Sequence, residues 1–333
     1  MPALPPVSHK PAGGAAEQVT SQVEGRVLTL TNLSKPLFAT GFTKAEVIDY
    51  HLRISPVALP HLAGRCVTRK RFPNGADGSA FYEKNLPPGA PEWVSTQQVL
   101  ASDAEIRYPL VDQAATMVWL GNLAAMELHT PQWRIDELAG GPVAPDEPID
   151  LDAPGLVLSD RLVVDLDPGE GMTMVDSSRA AMVVATELAT QGLIPFVKTS
   201  GSKGLQVFAA IHPSPWPDVV RQVRALAQLL AQRHPQVFVA VMAKQQRSDR
   251  IFVDYLQNQA ARNTIAPYSL RAKHFESVST PISWDEVAAV SSATDLAFTA
   301  GQVLQRVAEQ GDLWAELLDP AVAAELPDWA ASQ

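Results

Sequence analysis

Beyond residue 155 the chain alternates short β-branched runs with two long amphipathic segments, and that order leaves few folds open. RLVVDLD, PFVKTS, LQVFAAI, VFVAVM and RIFVDYL are short and rich in Val, Ile and Phe, so they read as strands. SSRAAMVVATELATQG follows the first run as a helix and stops at Gly192. WPDVVRQVRALAQLLAQRH sets Pro217 near its first turn and repeats Val220, Val223, Ala227 and Leu230 on one face. The resulting β-α-β-β-α-β-β order fits an RNA-recognition-motif-like (RRM-like) sheet with its helices on one face.

The preceding residues are patterned differently. The N-terminus, MPALPPVSHKPAGGAAEQ, lacks periodicity and reads as a flexible tail. EGRVLTLTN alternates as a strand, with Leu28 and Leu30 on one side. Thr43-Lys-Ala-Glu46 is a capping-box pattern, expected to open a helix through VIDYHLRIS that ends before Pro56. A second helix is expected over AATMVWLGNLAAMEL, including Ala124 and Leu128. Residues 136 to 155, acidic and rich in Pro and Gly, read as a linker or long surface loop, and Gln302 to Leu318 as a final helix. The chain then divides into a tail (1–22), an N-terminal α/β module (23–150), a catalytic module (151–320) and a C-terminal tail (321–333), the two modules forming one compact unit.

Composition narrows the functional classes. The single cysteine, Cys66, excludes an internal disulfide and any multi-cysteine zinc site, and reads as a small buried apolar residue. No apolar run is long enough to cross a bilayer and the N-terminus lacks a secretory pattern, so a cytoplasmic protein without a membrane partner is expected. The net charge of −10 argues against nucleic acid only globally. Residues 276 to 333 carry Arg306 alone as a strong base, while bases cluster in Arg69-Lys70-Arg71, Lys198 and Lys203, Lys244-Arg247-Arg250, and Arg262-Arg271-Lys273. A local basic groove on an acidic protein is compatible with DNA.

Four patterns carry chemistry. In RLVVDLDPGEG, Asp165 and Asp167 lie two apart on a strand and share a face. Paired carboxylates repel, and a hard divalent cation relieves them; a solvated strand-end turn at Pro168-Gly169 is the alternative. In IFVDYLQN, Asp254 sits within an apolar run, where an unpaired carboxylate is expensive; it is either a third metal ligand or the partner of a base such as Arg250. SGSKG, with Ser200 and Lys203, is either a phosphate cradle or a plain hairpin turn, and it lacks Walker A spacing. TRKRFPNGADGSAFYEKN mixes cations with Phe81 and Tyr82, which suits base stacking or a charged hairpin. His129, following an apolar segment, is structural or functional.

The order of these pieces resembles the polymerase domain of bacterial ligase D and its stand-alone relatives, the mycobacterial-type primase-polymerases of the archaeo-eukaryotic primase superfamily. The similarity runs from Val23 to Leu318 and rests on VEGRVLTLTNLSKPLF, RKRFPNG with FYEKN, MELHTPQWR, VVDLDPGEG, TSGSKGLQVF, RIFVDYLQN, and APYSLRAK with VSTPISWDE. It implies an α/β (α+β) primase-polymerase fold, with an RRM-like catalytic sheet packed against an N-terminal α/β module. No ligase or phosphoesterase module is read in the chain, so the free-standing form is expected.

The resemblance also implies roles. Asp165, Asp167 and Asp254 match metal-binding carboxylates for two Mn²⁺ or Mg²⁺ ions, with manganese preferred. Ser200, Lys203, Arg247, Arg271 and His129 match the nucleotide pocket. Lys35 and Lys44 match a pair that grips the 5′-phosphate of a DNA gap. Phe81 and Tyr82 match aromatics near the template, and Lys70 and Lys84 further bases of the groove. One position departs: Gln206 stands where the family usually has His, and an amide can donate to phosphate but cannot carry charge. The expected activity is addition of NTPs or dNTPs, ribonucleotides preferred, to DNA 3′ ends at gaps or breaks. A DNA ligase and an end-binding repair protein would be its partners and the nucleoid its place of action. A non-catalytic gap-binding module is the alternative, and a metal-dependent nuclease a third.

Overall fold

The computed structural model describes residues 18–102, 104–241 and 247–332. Strands β1 (Gln18–Val23) and β2 (Arg26–Thr31) form an antiparallel hairpin. Residues 18–22, expected in the tail, therefore belong to a strand; the rest of that tail lies outside the described residues.

Helix α1 (Lys44–Leu62) opens with the expected capping box: Thr43 Oγ1 accepts from Glu46 N at 3.3 Å, and the Glu46 carboxylate accepts from Thr43 N at 2.7 Å. It does not end before Pro56, but continues through Pro56 and Pro60. Proline at 56 leaves the Leu52 carbonyl without its usual amide donor. Ser55 Oγ supplies the missing bond at 2.8 Å.

Strands β3 (Thr68–Arg71) and β4 (Phe81–Glu83) form a second hairpin, followed by β5 (Thr96–Ala101) and β6 (Ala104–Pro109). Helix α2 spans only Ala114–Asn122, and β7 (Ala125–Thr130) replaces the expected second half of that helix. Ala124 takes φ 55°, which breaks the helix. The strand is buried on both faces, and such a run cannot be told from a buried helix by periodicity. Strands β8 (Trp133–Leu138) and β9 (Ile149–Asp150) follow. The expected linker is thus pinned: β9 pairs in parallel with β5, Ile149 is fully buried, and the Gln97 amide donates to the Ala144 and Glu147 carbonyls at 3.2 and 2.9 Å.

The second half matches its expected order. Strand β10 (Val157–Pro168) leads to α3 (Met174–Thr190), β11 (Phe196–Thr199), β12 (Leu205–Pro215), α4 (Trp216–Arg233), β13 (Phe238–Val239) and β14 (Ile251–Asp254). Short strands β15 (Thr264–Ile265), β16 (Leu270–Ala272), β17 (Glu276–Val278) and β18 (Pro281–Ile282) precede α5 (Trp284–Ala288) and α6 (Ala300–Gln310). The large sheet runs β13-β14-β10-β12-β11-β18, with β8 on the start of β10. Leu162, Val164 and Leu166 of β10 pack with Ala181, Val184 and Leu188 of α3 and Val223 and Leu226 of α4. Each of these Leu and Val side chains contributes about 1.5–3 kcal/mol by leaving water. Val163 faces the other way, against Phe208 and Trp314, so Asp165 and Asp167 also point away from the helices.

Two ladders cross the expected module boundary: β7 pairs with β15, and β8 with β10. The C-terminal expectations also change. Helix α6 stops at Gly311, whose φ of 73° suits glycine, and a separate 3₁₀ turn covers Ala315–Leu318. Asp312 turns inward to His61 Nε2 at 2.8 Å and Tyr268 OH at 2.5 Å. The C-terminal segment is no loose tail: the Ala324 carbonyl accepts from His212 N at 2.8 Å, and Trp329 is buried in the α4 core.

Ser55→Ala removes the partner of a partly buried helix carbonyl. It is expected to destabilise the fold by about 0.5–1.5 kcal/mol in urea unfolding. An unchanged midpoint would contradict this account of the proline-containing helix.

Candidate active site

A cavity of about 390 Å³ opens on the face of the large sheet away from α3 and α4, and Asp165, Asp167, Gln206, Ser200 and Lys203 line it from β10, β12 and the β11–β12 turn. Tyr82, His129 and Arg271 line it from the β4, β7 and β16 side.

The floor is built by register. Asp165 stands directly opposite Gln206 on β12 and Asp254 on β14. Gln206 Nε2 donates to Asp165 Oδ1 at 3.1 Å. Gln206 Oε1 accepts from Lys198 Nζ at 2.5 Å, and Lys198 also donates to Ser279 Oγ at 2.7 Å. Burial, then Asp167 and Asp254, push the Asp165 carboxyl up to about 7. Burial, then Arg271, bring the Lys198 ammonium down to about 7, although Asp165 opposes the shift.

Asp254 is adjacent but engaged elsewhere. Its carboxylate accepts from Leu256 N at 3.2 Å and Gln257 Nε2 at 2.9 Å, capping the turn that follows β14. It does not line the cavity, and among the described residues no three His, Cys, Asp or Glu side chains form a ready-made metal cluster. Asp165 and Asp167 nonetheless suit a hard divalent ion: they are oxygen donors at the cavity wall whose mutual repulsion a cation would relieve.

The turn between β11 and β12 is a hairpin closed by Ser200 N to the Gly204 carbonyl at 2.9 Å, and Gly204 N donates to Ser200 Oγ at 3.2 Å. Gly201 has φ +68°, and a Cβ there would lie 2.8 Å from Arg271 Cβ. Glycine therefore lets the turn close against Arg271. Lys203 is exposed at the cavity mouth.

On the opposite wall, Glu127 Oε2 accepts from His129 Nε2 at 3.1 Å and lies 3.4 Å from Arg271 Nη1. Glu127 Oε1 accepts from Ala272 N at 3.2 Å and lies 3.6 Å from Lys70 Nζ. Burial lowers the pKa of His129, Glu127 opposes that shift, and Arg271 and Lys70 add to it. Burial alone would raise the Glu127 carboxyl, but the His129 hydrogen bond and the neighbouring charges bring it below its ordinary value. Sequence reasoning missed Glu127 because the helical reading of MELHT separated it from His129; as a strand, the two share a face. Lys198 was noted only for its charge.

Other expected residues scatter. Lys70 lies 5.1 Å from the Tyr82 ring and 5.0 Å from that of Phe72, behind the cavity. Arg69 and Arg71 share Glu83, at 3.2 and 2.8 Å, so one carboxylate offsets part of that basic run internally. Tyr82 is 66% exposed, with its ring 6.2 Å from His129, whereas Phe81 pairs with Arg71 on the other face of the hairpin and lies outside the cavity lining. Lys84 and Arg247 also lie outside the lining; the Arg247 guanidinium sits 3.6 Å from the Phe252 ring centroid. A Cβ on Gly169 would lie 1.8 Å from the Arg247 carbonyl, so only glycine fits there. Lys244 lies outside the described residues.

Lys35 and Lys44 come together apart from the cavity lining. Lys44 N donates to the Lys35 carbonyl at 2.8 Å, Lys44 Nζ to Thr31 Oγ1 at 3.2 Å, and Lys35 Nζ to the Pro73 carbonyl at 2.6 Å. Burial, then Lys35 and Arg71, lower the Lys44 ammonium to about 8. Such crowding is suited to an anion.

The sequence profile of the LigD primase-polymerase domain matches residues 43–314. The chain belongs to the LigD primase-polymerase family. It is 39% identical over 300 residues to the multifunctional non-homologous end joining protein LigD of Mycolicibacterium smegmatis, covering 89% of this chain and 37% of that protein. The Bacillus subtilis bifunctional non-homologous end joining protein LigD is 29% identical over 289 residues, covering 85% of this chain and 43% of that protein. The chain thus spans less than half the length of these relatives. The solved polymerase domain from Mycobacterium tuberculosis Ligase D in complex with DNA superposes with a TM-score of 0.79 at 38% identity, covering 88% of this chain and 98% of that one. The primase-polymerase fold expected from the motifs is therefore the fold observed, with an RRM-like sheet against an N-terminal α/β part.

The raised Asp165 pKa carries a sign. The folded state holds this proton more tightly than the unfolded state, so stability falls as pH rises from 3.8 toward about 7. In chelator, Asp165→Asn is expected to gain melting temperature relative to wild type as pH rises through that window. A difference that stays constant across the melts would refute the shift.

Proposed function

We propose that this chain is a metal-dependent primase-polymerase that adds nucleotides to DNA 3′ ends at gaps or breaks, in end joining or short-gap repair. The single observation that carries this reading is one cavity in which Asp165 and Asp167 face Lys203 and Arg271, in a chain that shares its fold with a DNA-bound polymerase domain.

Asp165 and Asp167 would hold divalent metal, Mn²⁺ or Mg²⁺, with Asp254 beside them on β14. When bound, paired ions supply positive charge that activates the attacking hydroxyl and neutralises the leaving pyrophosphate. Lys203 and Ser200 on the β11–β12 turn, and Arg271 across the cavity, offset charge on the triphosphate. Gln206, beside Asp165, orients it and is itself held by the buried Lys198. Tyr82 offers an exposed ring for a base to stack on. Lys35 and Lys44 receive the 5′-phosphate across the gap. Gapped DNA and NTPs or dNTPs, ribonucleotides preferred, are the substrates; a ligase and an end-binding repair protein are the partners, at the cytoplasmic nucleoid. Among the described residues no helix is long and apolar enough to cross a membrane.

A non-catalytic gap-binding module would be favoured had Gln206 left the carboxylates unsupported. Its bonds to Asp165 and Lys198 support the enzyme instead.

On a gapped, 5′-phosphorylated duplex with Mn²⁺ and NTPs, Asp165→Ala/Asp167→Ala is expected to lower primer extension by at least about a hundredfold, the scale on which loss of a charge-stabilising group acts. Equal extension by wild type and variant would eliminate the enzymatic reading, and shortening of the primer would point to a nuclease. Lys35→Ala and Lys44→Ala are each expected to weaken gap binding and reduce the slope of log affinity against log salt by about one. Binding that keeps its full slope and its preference for a 5′-phosphate would remove these lysines from the phosphate site.

A further inference from the structure

We propose that Glu127 is the positioning residue of the nucleotide pocket: its buried carboxylate gathers His129, Arg271 and Lys70 into the wall that receives the triphosphate. This rests on the polymerase reading above, and it assigns that wall to a group on the central strand of the N-terminal sheet.

Glu127 is only 1% exposed, yet both of its carboxylate oxygens are engaged twice. One faces His129 Nε2 and Arg271 Nη1; the other faces Ala272 N and Lys70 Nζ. Its partners come from β3, β7 and β16, strands of two separate sheets. A carboxylate has about four lone-pair directions, and here each has a donor or cation. Little capacity is left for a metal ion, which separates Glu127 in role from Asp165 and Asp167.

Charge explains the need. Without an anion, Lys70 and Arg271 would repel one another beside the imidazole. A single carboxylate lets them assemble before any ligand arrives, and the wall keeps a net positive charge for an anionic one. Arg271 and His129 line the cavity directly, whereas Glu127 does not, so it acts through them. The groups facing His129 are Glu127 on its own strand, Lys70 on β3, Tyr82 on β4 and Arg271 on β16.

Glu127→Gln is the informative substitution. An amide must turn its NH₂ toward one of the two donor pairs, so it replaces attraction with a donor-to-donor contact. In steady-state extension of gapped DNA with Mn²⁺ and GTP, the variant is expected to raise the KM for GTP by about tenfold while the Kd for gapped DNA changes less than about twofold. Loss of the anion also moves the His129 midpoint down in an NMR titration of the ring, because Glu127 is the neighbour that favours the imidazolium. Glu127→Asp keeps the charge on a shorter arm, and is expected to fall between wild type and Glu127→Gln in both readouts; it carries the test if the amide variant does not fold. An unchanged KM for GTP in an active background overturns the role of Glu127 while leaving the polymerase reading intact. A raised KM with an unmoved His129 midpoint also overturns it, since that pattern marks general loosening. A wild-type protein that neither binds nor incorporates GTP would instead defeat the underlying polymerase reading.

Discussion

Like charges held on one face of a central strand are the constraint around which this molecule is arranged. Val164 and Leu166 of β10 must face α3 and α4, so strand alternation forces Asp165 and Asp167 to the opposite side. The ladder with β14 then brings Asp254 beside Asp165. No apolar packing can satisfy those carboxylates. What surrounds it is polar: Gln206 on Asp165, Lys198 on Gln206, and the open cavity beyond.

The cavity shows how an acidic chain can present positive charge locally. Its net charge is −10, but the balance is local. Many of its arginines are spent within the fold: Arg69 and Arg71 on Glu83, Arg65 and Arg161 on Asp160, Arg134 on Asp136. The bases facing the cavity, Lys203 and the Glu127-paired Arg271, are therefore few, and they are placed by backbone features. Gly201 allows the β11–β12 turn to approach Arg271. Tyr268 keeps an αL conformation at φ 64°, uncommon for a bulky residue, just ahead of β16. Three bonds hold it there: its amide to Ser279, its hydroxyl to Asp312, and its carbonyl from Tyr50.

Much of the fold and part of the site were legible in the residue order. The strands and helices after residue 155 follow from β-branched runs, Pro217 and Gly192, which are local signals. Where reading failed, a distant or neighbouring group had overridden a local rule. Pro56 ends a helix in isolation, but Ser55 repairs the lost bond. AMELHT is apolar enough for helix or strand, and only its place between β3 and β15 decides for strand. Residues 136–155 look like a linker by composition, yet β9 is captured by β5 from a separate part of the chain.

The sequence by itself determined the order of strands and helices along the chain after residue 155, the shared face of Asp165 and Asp167, and membership of a primase-polymerase family, because these depend on alternation and on motifs contiguous along the chain. Tertiary structure alone decided that Glu127 stands among His129, Arg271 and Lys70, and that Gln206 joins a buried lysine to a carboxylate. Those arrangements depend on strand pairing between segments far apart in sequence, and no local pattern encodes which partner a buried charge will meet.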